Sequence, residues 1–137
     1  MAEAQPTRAP GPVLAAAAVV AVEGVALIGL AGLDVALTAF AEAGSVPLAL
    51  STALLLAAFG AILLLLARGL RALRPASRSP VIAFQLLALP IGWTLTSDNG
   101  RPELGLPVLA LAVSVLVLLF GTAGARDALA RPRPAED

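Results

Sequence analysis

The sequence predicts an all-α membrane protein, four transmembrane helices in an up-down-up-down bundle, and three observations carry that prediction. Of 137 residues, 59% are hydrophobic and only 13% charged, with a mean hydropathy of +0.94, which is more apolar than a water-soluble fold can hide. The apolar residues gather into stretches of about 20, the length needed to cross roughly 30 Å of hydrocarbon at about 1.5 Å per residue. Arginine is the only basic residue type, and it lies almost wholly on one side of those stretches.

The spans are expected at Pro12 to Ala31, Val46 to Ala67, Pro80 to Ser97 and Leu104 to Ala123, together a transmembrane domain over residues 12–124. Pro12, Pro47 and Pro80 fall in first turns, where a missing N–H costs nothing, and Ser45 and Ser79 are candidate N-caps. Asp98-Asn99-Gly100 reads as a turn between the last two spans. Short connections make consecutive spans antiparallel neighbours. Residues 1–11 and 125–137, rich in Pro, Ala and charge, read as disordered cytoplasmic tails, and Asp34 to Gly44 as a short interfacial helix. Arg8, the first apolar run and the small residues Ala39 to Ala43 imitate a signal peptide, but the run exceeds the usual apolar length of about 7 to 15 residues.

Orientation follows from the arginines, because short Arg-rich loops resist translocation. Arg8 precedes the first span, Arg68, Arg71, Arg74 and Arg78 separate the second from the third, and Arg126, Arg131 and Arg133 follow the fourth, whereas Arg101 alone lies on the other side. Both termini are therefore expected in the cytoplasm. The other side holds Asp34, Glu42, Asp98 and Glu103, and Trp93 sits near the end of the third span where an interfacial aromatic belongs. Arginine without lysine, with abundant Ala, Gly and Pro, suggests a GC-rich bacterial gene and hence a multi-pass protein of a bacterial plasma (inner) membrane.

Cysteine, histidine, tyrosine and lysine are all absent. Without them the spans offer no thiolate, no imidazole base, no ordinary zinc set and no common haem ligand. No catalytic residue, metal or cofactor is expected, nor a nucleic-acid partner.

Glu23 is the most informative residue, being about 12 residues into the first span and so near mid-membrane. A charged group there costs roughly 2.5 to 3.5 kcal/mol on insertion scales, and the nine Val, Leu and Ile of the span return about 0.3 to 0.6 each. Glu23 is thus expected to face other helices as a neutral side chain that donates a hydrogen bond, either as a structural group or as a proton or cation site. Ser114 matches its depth in the antiparallel fourth span and is the first-choice partner. Gln85 lies only about 9 Å into the third span, so a direct bond would need tilt or a water.

Small and polar stripes mark the expected packing faces: Gln85, Ala88, Gly92 and Thr96 in the third span, Ala53, Ala57 and Ala61 in the second, and Ala110, Ser114 and Gly121 in the fourth. Pro90 removes a donor within the third span and is expected to kink it. Arg68, Arg71, Arg74 and Arg78 read as a helical extension of the second span ending at Pro75, with Leu70 and Leu73 interleaved at the interface. This patch serves as a topology determinant or an anionic-lipid contact.

Ala67-Arg68-Gly69-Leu70, Ser79-Pro80-Val81, Gln85-Leu86-Leu87 and Pro90-Ile91-Gly92-Trp93, taken with Glu23-Gly24, resemble an uncharacterised family of small four-span membrane proteins of actinobacteria. The resemblance implies the same bundle and lends no activity. Small multidrug-resistance transporters are similar in having four short spans with one Glu in the middle of the first. This chain departs from them in lacking Tyr, in lacking a Lys after the first span and in carrying its single Trp in the third. The expectation is a non-enzymatic accessory or scaffold whose partners are the lipid bilayer and another membrane protein or a second copy of itself. A small proton- or cation-coupled transporter using Glu23 is the alternative.

Overall fold

The structure, a computed structural model, describes residues 9–40, 45–97, 102–121, 123 and 127. Four helices follow one another, α1 Gly11–Phe40, α2 Val46–Arg71, α3 Arg78–Ser97 and α4 Pro102–Phe120, with a 3-10 turn at Pro75–Ser77 between α2 and α3. No strand occurs among the described residues. Each helix contains most of one expected span, and each is long and apolar enough to cross a membrane. The Asp98-Asn99-Gly100 turn and, apart from Ala9 to Gly11 and Asp127, both expected tails lie outside the described residues.

The helix ends differ from expectation for local reasons. α1 is continuous for 30 residues, so Asp34 to Phe40 extends the first helix instead of forming a separate one. No proline interrupts the chain there, and Leu33, Ala36, Leu37 and Ala39 favour helix. Its length is about 45 Å at 1.5 Å per residue, whereas roughly 30 Å of hydrocarbon crossed at a 40° tilt takes up only about 39 Å. The end of α1 therefore outruns a bilayer core. Ser45 is the N-cap residue of α2 without a side-chain cap bond, and Pro47 follows in the first turn. Ser79 lies inside the first turn of α3, which starts at Arg78, and so does not cap it. α3 runs through Pro90. α4 starts at Pro102, where its fixed φ suits a first helical position, and ends at Phe120 rather than Ala123.

α2 ends at Arg71, short of the expected Pro75. The Arg74 N–H donates to Gly69 O at 2.9 Å and the Leu73 N–H to Leu70 O at 3.0 Å, while Leu73 has φ 52°. That is the Schellman pattern, with leucine at the left-handed position that glycine usually takes. The conformation costs a side-chain-bearing residue about 1–2 kcal/mol, and here the Leu73 side chain packs against the hydrophobic core, which offsets it. Leu70 is fully buried, so it belongs to that core and not to an interface with lipid.

Two hairpins build the bundle. A Cβ on Gly24 of α1 would lie 2.8 Å from Gly60 O, and one on Gly60 of α2 would lie 2.7 Å from Gly24 O. Gly92 of α3 and Gly105 of α4 face one another in the same way, a Cβ on Gly105 lying 2.5 Å from Gly92 O. Only glycine permits such backbone approach, which substitutes for the hydrophobic effect between helices in lipid. The hairpins meet at the end where the chain carries Arg68, Arg71, Arg74 and Arg78. There Val13, Ala16 and Val20 of α1 share a core with Leu63 and Leu70 of α2, Val81 of α3 and Val115 and Leu119 of α4. Phe59 of α2 meets Phe84 of α3 edge to face at 5.7 Å.

The inward faces correct part of the small-residue reading. In α3 the stripe holds: Gln85 and Gly92 are buried, Ala88 and Thr96 partly so. In α2, Ala53 is buried but Ala61 is exposed, its place taken by Gly60. In α4, Ala110, Ser114 and Gly121 are all exposed, and the buried positions are Gly105, Ala112, Val115 and Leu119. Ser114 stands two residues, or about 200°, from Ala112 around the helix. Small size marked the candidates, but helix phase decides burial.

Candidate functional site

The site begins with the return of the chain after α2. Gly69, the first residue of the Schellman ending, has the Ser77 side chain packed on its face, where a Cβ would lie 2.8 Å from Ser77 Cβ. Gly24 stands opposite Gly60, so Gly69, nine residues further along α2, is level with Ala15 of α1, nine residues before Gly24. Ser77 sits at that same level. Gln85 lies eight residues past Ser77 and Glu23 eight residues past Ala15, and at a common rise per residue the two side chains arrive together.

The Gln85 Nε2–H donates to Glu23 Oε2 at 2.8 Å. The bond joins α1 to α3, and therefore one hairpin to the other. Depth counted from the start of each span puts Gln85 too shallow, because the return of Pro75–Ser77 over Gly69 leaves no mark in the spacing of apolar residues. The expected Glu23–Ser114 bond is not formed. Ser114 faces outward, and its hydroxyl donates to Ala110 O of its own helix at 2.6 Å, a local bond open to any helical serine.

Glu23 is half-buried, whereas Gln85 is 1% exposed. Gln85 Oε1 is enclosed and receives no hydrogen bond. Asp34 shares this property, its Oδ2 being enclosed without a donor while Thr38 Oγ1 donates to the Asp34 backbone carbonyl at 2.7 Å. Asp34, expected to open a separate interfacial helix, belongs to α1. Its spacing of eleven residues from Glu23, close to three whole turns, puts both acids on one face once α1 is continuous. A shallow open groove of about 310 Å³ on α3, lined by Pro90, Ile91, Thr94 and Leu95, includes neither Glu23 nor Gln85.

At the arginine end, Arg68, Arg71 and Arg74 are exposed, while the Arg78 guanidinium lies 5.5 Å from the centroid of the Phe120 ring. This cation–π contact ties the start of α3 to the end of α4. The outward surface of all four helices is apolar, with Val22, Leu54, Leu87 and Val117 each at least 60% exposed, a surface that water would not tolerate over such an extent.

Four helices long and apolar enough to span a membrane, packed through close glycine contacts and joined by the Gln85–Glu23 hydrogen bond, are the architecture of a multi-pass membrane protein. Comparison with protein-family models, with curated proteins and with solved structures gave no match.

Proposed function

We propose that this chain is a non-enzymatic membrane protein of a bacterial plasma membrane, with both termini in the cytoplasm, that serves as an accessory or scaffold in a membrane complex. The observation that carries the reading is the Gln85–Glu23 hydrogen bond. The acid near mid-membrane is engaged in holding one hairpin against the other, a structural task. What the bundle then offers its surroundings is an apolar lateral surface suited to lipid, to another membrane protein or to a second copy. The arginines support the orientation, and those near an anionic leaflet each add about 1 kcal/mol of attraction. Kinship with the actinobacterial four-span group, on the residues given above, belongs to the same proposal.

The partial exposure of Glu23 favours a second reading, proton- or cation-coupled transport. Crosslinking in the native membrane followed by affinity purification of the tagged protein separates the two. A defined heteromeric complex, unchanged in composition by Glu23→Gln, supports the scaffold. A homo-oligomer alone, with ion or drug sensitivity lost in Glu23→Gln, refutes it in favour of transport.

A further inference from the structure

We propose that the Glu23–Gln85 contact is a proton-binding site: the assembled bundle holds Glu23 as the carboxylic acid, and its O–H is donated to Gln85 Oε1. The proposal rests on reading this contact as the bond that joins the hairpins, and it names what that bond contains.

A carboxamide has a donor end and an acceptor end, and buried polar atoms of both kinds are nearly always satisfied. Gln85 is 1% exposed, its Nε2 is used on Glu23 Oε2, and its Oε1 is enclosed with no donor. A carboxylate only accepts, so it leaves that oxygen orphaned. A carboxylic acid adds one O–H donor on the very group Gln85 already touches. Protonation turns a single bond into a reciprocal acid–amide pair in which each partner donates once. The proton comes from water when the site loads and returns to water when it empties, and only the O–H bond forms or breaks.

The charges around the site point the same way. No charged side chain occurs on α2 from Val46 to Ala67, on α3 from Ser79 to Ser97 or on α4 from Leu104 to Phe120. On α1 the other ionisable group is Asp34, also an acid and about 16 Å further along. The cations at the ends of neighbouring helices are distant: Arg78 is seven residues before Gln85 and lies on the Phe120 ring, and Arg68 is exposed. Among the described residues no cation stands beside this carboxylate, the arrangement that hydrocarbon penalises most. A proton removes that penalty and supplies the missing donor at once. The sign for the bundle follows: the latch between hairpins is loaded at lower pH and weakens as pH rises through the titration of Glu23.

The test is infrared spectroscopy of the full-length protein in phosphatidylcholine–phosphatidylglycerol vesicles. The expected result at neutral pH is a hydrogen-bonded carboxylic acid C=O stretch that vanishes in Glu23→Gln and moves to higher frequency, as a freer acid, in Gln85→Leu. A wild-type spectrum with carboxylate bands alone, or an acid band that survives Glu23→Gln unchanged, overturns the proposal. Titration of the wild-type band decides the matter even where a variant fails to assemble. If Glu23→Leu loosens the bundle while wild type shows carboxylate alone, the latch stands and the proton does not.

Discussion

Replacing Glu23 and Gln85 with leucine, singly and together, measures how strongly their hydrogen bond holds the two hairpins together. The cost of inserting an acid, about 2.5 to 3.5 kcal/mol, applies to separated helices and to the bundle alike and so cancels from bundle stability. What remains is the bond itself and the groups it leaves behind. Glu23→Leu strands both polar ends of a side chain that is 1% exposed; Gln85→Leu strands a half-buried acid. Orphaned groups cost about 1–3 kcal/mol in water-soluble proteins, but in lipid the separated helices are also unsatisfied, and measured couplings average about 0.6 with a maximum near 1.7 kcal/mol. The expected coupling energy is therefore about 0.6 to 1.7 kcal/mol, a factor of roughly 3 to 18 in the assembly equilibrium. The double variant should be more stable than the sum of the single losses allows, because leucine meeting leucine strands nothing. Reversible unfolding in lipid bicelles, by steric trapping, reads all four corners of the cycle. Additivity to within about 0.3 kcal/mol would refute the argument that this contact joins the hairpins.

Three further outcomes follow from the packing. Gly60→Ala places a methyl 2.7 Å from both Gly24 O and Ile28 Cγ1 and should lower the thermal midpoint, whereas Gly32→Ala, with nothing within 4 Å, should leave it unchanged or raise it by the helix-propensity gain of up to about 1 kcal/mol; equal effects would discount the close contact. Phe120→Leu should cost about 0.5–1 kcal/mol through loss of the Arg78 contact, with no further loss when Arg78→Ala is added, as checked by the same unfolding measurement. Ser114→Ala should change stability by less than about 0.5 kcal/mol, since its hydroxyl serves only Ala110 O; a larger loss would restore Ser114 as an interhelical partner.

Much was legible from residue chemistry alone. The number of helices follows from four apolar stretches of membrane length, since transfer of so much Leu, Val and Ala into lipid depends on composition and length, not on neighbours. Glu23 announced itself for the same reason, an acid being conspicuous wherever the solvent is hydrocarbon. Its partner did not. By simple depth Ser114 matched Glu23 and Gln85 fell short, and what reversed that order was the Schellman ending at Leu73 and the packing of Ser77 on Gly69, which raise α3 by more than a turn relative to α1. Likewise Ala110 and Gly105 are equally small, but only the rotation of α4 against α3 decides which one meets a neighbour. Composition determines that this polypeptide is solved by lipid and forms four helices. Register, rotation and the pairing of its polar groups exist only between helices, because in a medium as apolar as the side chains themselves it is close contact, and not burial, that selects one arrangement.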